Sequence, residues 1–152
     1  MVAIALGSNL GDRAAHLEFA AFRLERVVSS IARSRWRETE PLDVGPQPLF
    51  LNGAIAGITT LSPRELLAAL LAIERERGRE RPFAGAARTL DLDLVLFGDR
   101  ILDEPGLVLP HPRFRERRFV LEPLAEVAPA MVDPVTGLTV AALLARLAPS
   151  ES

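Results

Sequence analysis

The apolar run from Met1 to Leu6 is too short for a helix and stops at the turn-rich Gly7-Ser-Asn-Leu-Gly-Asp12, so it predicts a short buried strand. Leu17, Ala21, Leu24, Val28 and Ile31 then recur at steps of four and three, predicting an amphipathic helix with Asp12 as its N-cap. Weak alternation from Arg33 to Glu38 predicts an edge strand, and Pro41, Gly45, Pro46 and Pro48 impose an irregular loop after it. A strand resumes over Phe50 to Thr60. The clearest helix start follows, with Ser62 as N-cap, Pro63 at the first helical position and Glu65 completing a capping box; Gly78 stands just past its end. A loop carrying Pro82 and Gly85 leads to the strand-like Arg88-Thr-Leu-Asp-Leu-Asp-Leu-Val-Leu-Phe97, stopped near Gly98. Pro105 to Pro112 reads as an irregular return, Arg115 to Val127 as a helix limited or bent by Pro123, and Thr139 as the cap of a short last helix through Leu147.

Reduced to its strongest elements, this order is β-α-β-β-α-β with a helical C-terminal extension. That predicts an α+β chain with an antiparallel sheet in the ferredoxin-like split arrangement, organised as one domain over residues 1–152. So widely used a fold says nothing of function, which must come from the site.

Composition narrows the chemistry. The chain has 152 residues, 49% hydrophobic and 25% charged, enough for one self-sufficient core. It lacks cysteine, excluding disulfides, thiolate metal sites and cysteine nucleophiles. All 18 basic residues are arginine, which excludes Schiff-base and P-loop lysine chemistry and leaves anion binding to bidentate guanidinium groups. A net charge of −2 argues against a general nucleic-acid binder. No apolar stretch approaches the ~20 residues of a membrane span. A cytoplasmic protein with neither a nucleic-acid nor a membrane partner is the expectation.

The most informative breach of local preference is Asp91 and Asp93, two carboxylates inside a leucine-rich strand where Asp is disfavoured. Alternation places Leu90, Leu92, Leu94 and Leu96 on one face and both aspartates on the other, roughly 6.5–7 Å apart at the backbone. Such a pair suits divalent ions that hold phosphates, Mg²⁺ preferring few carboxylates plus phosphate oxygens and water; a solvated face paired with arginines is the plainer alternative. Gly7 to Asp12 is a poor phosphate loop, lacking the Gly-Lys-Ser/Thr ending, and reads as a turn and cap with Gly7 and Gly11 supplying unusual dihedrals. Arg75 and Arg77 read as solvated helix residues, whereas Arg79 and Arg88 lie on the approach to the aspartates and suit an anion held there. His111, fixed between Pro110 and Pro112, reads as a structural corner or a presented donor, while His16 reads as incidental. Of Arg113, Arg115, Arg117 and Arg118, some must be solvent residues. Asn52 is an amide among apolar neighbours; it requires either a local turn or a ligand with an amide-like edge, for which Phe50 and Phe119 offer flat faces.

Together these motifs resemble the 6-hydroxymethyl-7,8-dihydropterin pyrophosphokinase family. The match is carried by Ala5-Leu-Gly-Ser-Asn-Leu-Gly11, by Phe50-Leu-Asn52, by Gly78-Arg79 with Arg88-Thr-Leu-Asp-Leu-Asp93, and by Pro110-His111 with Arg117-Arg-Phe119 and Pro123-Leu124. The resemblance implies transfer of pyrophosphate from ATP, the co-substrate, to the hydroxymethyl group of a reduced pterin, with two Mg²⁺ ions and release of AMP. It places Asp91 and Asp93 on the metal ligands. Arg79, Arg88, His111 and Arg117 fall on phosphate-contacting groups, and Glu74 on an acidic position near the nucleotide. Asn52 falls on the amide that reads the pterin edge, Phe50 and Phe119 on the sandwiching aromatics, and Thr39 and Leu42 on loop positions that meet the pterin.

The chain departs from the pattern where Gly85-Ala86-Ala87 replaces a Trp, a small residue and Pro, in a loop one residue shorter. Glu40 and Pro112 are further departures. Two rivals compete with this reading. One is another two-metal nucleotidyl-transfer domain, which explains the aspartates but not Asn52 with Phe50; the other is a non-catalytic ferredoxin-like ligand- or RNA-binding module, which needs no metal.

Overall fold

Three paired strands carry the centre of the molecule. The computed structural model describes residues 1–39, 49–77 and 89–147. In chain order the elements are β1 (Val2–Ser8), α1 (Arg13–Leu24), β2 (Ser29–Arg33), β3 (Arg37–Thr39), β4 (Phe50–Ile58), α2 (Pro63–Arg77), β5 (Asp91–Phe97), β6 (Leu102–Glu104), β7 (Leu107–Leu109), α3 (Arg118–Val127) and α4 (Val140–Arg146), with a 3₁₀ turn at Phe114–Glu116 before α3. This is an α+β chain with a five-stranded antiparallel sheet ordered β2-β4-β1-β5, in which β3 also pairs with β4.

Helix starts follow local chemistry. The Asp12 carboxylate accepts from the Ala15 N–H at 3.1 Å, and the Thr139 hydroxyl from the Ala142 N–H at 3.1 Å. Ser62 and Glu65 close a reciprocal capping box, at 3.1 Å from the Glu65 N–H to the Ser62 hydroxyl and 2.8 Å from the Ser62 N–H to the Glu65 carboxylate. The expected Gly78 stop and the loops of Pro41–Pro48 and Pro82–Gly85 lie outside the described residues.

Other boundaries differ from the expectation. α1 ends at Leu24, and Ile31, counted into its stripe, instead belongs to β2. The single edge strand of Arg33 to Glu38 is really two, β2 and β3, both laid along β4. The irregular return of Pro105 to Pro112 contains a hairpin strand, with β6 and β7 paired from Leu102↔Leu109 to Glu104↔Leu107. Residues 115–117 belong to the 3₁₀ turn and its cap, so α3 begins at Arg118, and Pro123 is buried within α3 without ending it.

The sheet separates two cores. On one face Val2, Ile4, Leu6, Leu92 and Leu94 meet Leu17 and Leu24 of α1 and Leu66 and Leu70 of α2. On the other, Ala3, Ala54 and Ala56 form a floor of small side chains against which Phe114, Leu121, Leu124, Val140 and Leu143 pack. Each such large side chain contributes roughly 1.5–3 kcal/mol on burial.

β5 does not alternate regularly. Ile4 of β1 pairs with Leu94 but Ala3 pairs with Leu96, so Val95 is one residue too many. Leu90, Leu92 and Leu94 join the α1/α2 core as alternation requires, whereas Leu96 crosses with Val95 to the α3/α4 core. The extra residue reverses the parity of everything after it.

Candidate active site

One row of the sheet brings the site together. Gly7 of β1 pairs with Asp91 on one side and Asn52 on the other, and Asn52 in turn pairs with Arg37 of β3. Paired residues share a face, so Asp91, Gly7, Asn52 and Arg37 present to the same side. Asp93 lies one step along, opposite Ala5. Further along, the same face disappears under α3 and α4 where Ala3, Ala54 and Ala56 begin. The carboxylates therefore stand at the uncovered end of a face whose other end is core.

Gly7 matters here through space and not dihedral freedom. It sits inside β1, and a Cβ added to it would lie 3.0 Å from the Asn52 amide nitrogen and 3.7 Å from the Phe50 ring. The expectation of an unusual dihedral holds for Gly11 alone, at φ +71°. From the β1 side, nothing larger than the Ala5 methyl crowds Asp91 and Asp93, which are both half-buried.

The Asn52 amide is buried, and its oxygen accepts from the Thr39 hydroxyl. That bond satisfies the oxygen side-on and orients the amide plane. Thr39 itself pairs with Phe50, so Thr39, Phe50 and Asn52 form one unit across β3 and β4. Leu42, expected beside them, lies outside the described residues, as do Arg79 and Arg88.

Glu74, near the end of α2, accepts from the Leu92 backbone N–H at 2.6 Å. β5 is the edge of the sheet, and Leu92 separates the two aspartates, so a charged acceptor fastens the strand between them.

His111 reaches the site because its backbone N–H donates to the Val95 carbonyl at 2.9 Å. Its Nδ1 accepts from the Arg113 N–H at 3.3 Å, so in the neutral ring the proton is on Nε2. Burial, chiefly, holds the imidazole below its ordinary pKa; the Arg117 charge adds to this and the Asp91 charge opposes it. The Arg117 guanidinium stands over the Phe119 ring, 5.6 Å from its centroid. The other arginines sort themselves: Arg115 binds the buried Asp133 at 2.6 and 3.0 Å, and Arg118 pairs with Glu122.

Three features escaped the sequence reading. Arg37 pairs with Asn52; one guanidinium nitrogen lies 2.8 Å from Glu126, and the other, Nη1, is buried with no hydrogen-bond partner among the described residues. Alternation through Arg35-Trp36-Arg37-Glu38-Thr39 is the signal that would have put Arg37 and Thr39 on one face. Arg77, expected in solvent, donates to His16 Nδ1 at 2.8 Å and stacks over Phe19, so neither it nor His16 is incidental. The third is Arg13, whose side chain spans two segments.

Comparison with known proteins identifies the family. Residues 3–129 match the model of the family described as 7,8-dihydro-6-hydroxymethylpterin-pyrophosphokinase. A Pseudomonas aeruginosa protein named 2-amino-4-hydroxy-6-hydroxymethyldihydropteridine pyrophosphokinase is 45% identical over 135 residues, covering 88% of this chain and 83% of the relative. A Synechocystis protein of the same name is 42% identical over 146 residues, covering 95% and 74%. Among solved structures, Plasmodium falciparum HPPK-DHPS with pterin and p-hydroxybenzoate superposes with a TM-score of 0.73 at 15% identity, covering 95% of this chain and 41% of that one, a likeness of fold. By both the family match and these close relatives, the chain belongs to the 7,8-dihydro-6-hydroxymethylpterin-pyrophosphokinase family.

Proposed function

We propose that the chain transfers pyrophosphate from ATP to the hydroxymethyl group of 6-hydroxymethyl-7,8-dihydropterin, as its relatives' names suggest, and releases AMP. The observation that carries this reading is the single sheet row that sets Asp91 beside Gly7 and Asn52. It joins a phosphate-and-metal end to a heterocycle-reading end at the distance of neighbouring strands, ~5 Å each.

Asp91 and Asp93 are the residues that would hold two Mg²⁺ ions. They fit: both are hard oxygen donors on one face of the sheet, and Mg²⁺ takes few carboxylates, with phosphate oxygens and water completing its shell. When bound, such ions neutralise charge on the transferring group. The side chains do the rest by position. Asn52, oriented by Thr39, reads the amide-like edge of the pterin, and Phe50 and Phe119 take its two faces. Arg117 and the Nε2–H of His111 donate to phosphate oxygens, joined by Arg79 and Arg88, and Leu42 completes the pterin contacts. Glu74 belongs to the nucleotide end, steadying β5 through Leu92.

In the transfer, the hydroxymethyl oxygen bonds to the β-phosphorus while the bond from that phosphorus to the α,β-bridging oxygen breaks. AMP leaves with that electron pair, and the hydroxyl proton passes to solvent. Such chemistry needs alignment and charge stabilisation more than covalent help. The strand order β2-β4-β1-β5 supports a ferredoxin-like arrangement, and we read the chain as a single domain, monomeric and cytoplasmic. No helix of the described residues is long and apolar enough to cross a membrane.

The test is incubation with ATP, Mg²⁺ and 6-hydroxymethyl-7,8-dihydropterin, with nucleotides resolved by chromatography. AMP and the pterin diphosphate should appear together; formation of ADP, or no pterin-dependent turnover, overturns the reading.

A further inference from the structure

We infer that Arg13 is a positioning residue for the pterin subsite, stapling β3 to β4 from the face opposite the substrate; the inference rests on the reading just given. Arg13 is the first residue of α1, and no acidic residue occupies that helix's first turn. A cation there opposes the helix dipole, so local helix chemistry does not explain it. The explanation lies across the chain. One guanidinium nitrogen donates to the Leu49 carbonyl at 2.8 Å, and the other meets the Glu38 carboxylate at 2.7 Å. The planar fork makes both bonds at once, which an ammonium cannot do with the same geometry.

The two anchors are informative. Leu49 immediately precedes Phe50, and Glu38 immediately precedes Thr39, while Phe50 and Thr39 are register partners at the last rung of the β3–β4 ladder. A three-residue strand ending at that rung has little of its own to keep it from fraying. The Thr39 hydroxyl that orients Asn52 depends on that rung. Because side chains alternate along a strand, Glu38 points away from the face that Thr39 shares with Asn52, so Arg13 acts from behind and touches no substrate. Its only route to the chemistry is through the placement of Thr39, Phe50 and Asn52.

The test compares the unaltered chain with Arg13→Ala and Arg13→Lys. For Arg13→Ala the KM for the pterin should rise about fivefold to twentyfold, with the KM for ATP and kcat within twofold. Arg13→Lys, keeping one of two contacts, should fall between. A merely structural role would lower Tm and leave the pterin KM untouched, and that result, or an equal rise in both KM values, overturns the inference. Amide hydrogen exchange is read separately and needs no turnover: residues 37–39 and 50–52 should exchange at least tenfold faster in Arg13→Ala, and unchanged exchange also overturns it. If the unaltered chain makes no AMP while exchange still quickens, the staple stands and the pyrophosphokinase reading is what has failed.

Discussion

A single methyl group separates Gly7 from a collision with Asn52, since a Cβ on the glycine would come within 3.0 Å of the amide nitrogen. That spacing is tighter than side chains ordinarily tolerate, so the amide must move if Gly7 is enlarged. Gly7→Ala should weaken pterin affinity about tenfold while ATP affinity changes less, at a stability cost of roughly 1–3 kcal/mol from overpacking. Calorimetric titration of each ligand, with a melting curve, checks this; equal loss of both ligands would point to general unfolding.

Thr39→Val keeps the shape of the side chain and removes the hydroxyl that donates to Asn52. The amide oxygen is then buried without its partner, a penalty of about 1–3 kcal/mol. The pterin KM should rise roughly tenfold or more, with the ATP KM steady. Steady-state kinetics varying each substrate in turn would decide.

Asp93→Asn retains size and polarity while removing a charge from the open end of the sheet face. Turnover with Mg²⁺ should fall by more than about a hundredfold, beyond the 10–100-fold typical of residues that only support a ligand. Circular dichroism and Tm should stay close to those of the unaltered chain. Activity within tenfold of normal would remove Asp93 from the metal site.

His16 accepts from Arg77, so its ring must be neutral there; burial first, and Arg77 second, hold its pKa below the ordinary 6.5, against the pull of Asp12. A depressed histidine contributes stability that is fully present above the unfolded pKa near 6.5 and is lost as pH falls through the folded value. Two-dimensional NMR should show His16 titrating below 6.5 and rising toward it in Arg77→Gln. A titration unmoved by that substitution would contradict the bond.

Asp133 is fully buried, and although burial works against its charge, Arg115, the Thr136 hydroxyl and the Val135 N–H together keep the carboxyl below its usual range. Asp133→Ala strands Arg115 and should cost about 3–5 kcal/mol. In the unaltered chain this contribution is full above pH ~4 and lost as pH falls through the depressed value. Urea unfolding across pH 2–7, with kcat per folded molecule measured at neutral pH, tests both parts; kcat should hold.

What the amino-acid order made legible was whatever is decided within three or four residues. The caps of Asp12, Ser62 and Thr139 are of that kind, because donor and acceptor lie on the same turn. Asp91, Asp93 and Asn52 stood out because each violates the preference of its own strand. The rest depends on partners distant in sequence. Ile31 continues a helical rhythm yet joins β2, since Ala32 and Arg33 find Ala56 and Ile55 across the sheet. The space at Gly7 is defined by Asn52, and the charge of Arg13 by Glu38 and Leu49, none of them visible from the local pattern.

The surplus residue at Val95 has a mechanical corollary. Upstream of it the odd-numbered positions of β5 serve the acid pair, and downstream the even-numbered Leu96 feeds the helical layer beneath α3. A β5 without the extra residue cannot satisfy both halves, for whichever end is properly oriented leaves the other inside out. The axial height of the two carboxylates above Gly7 is thereby indexed like a key in a lock. Shortening the strand by deleting Val95 should unseat the acids even though no carboxylate was touched.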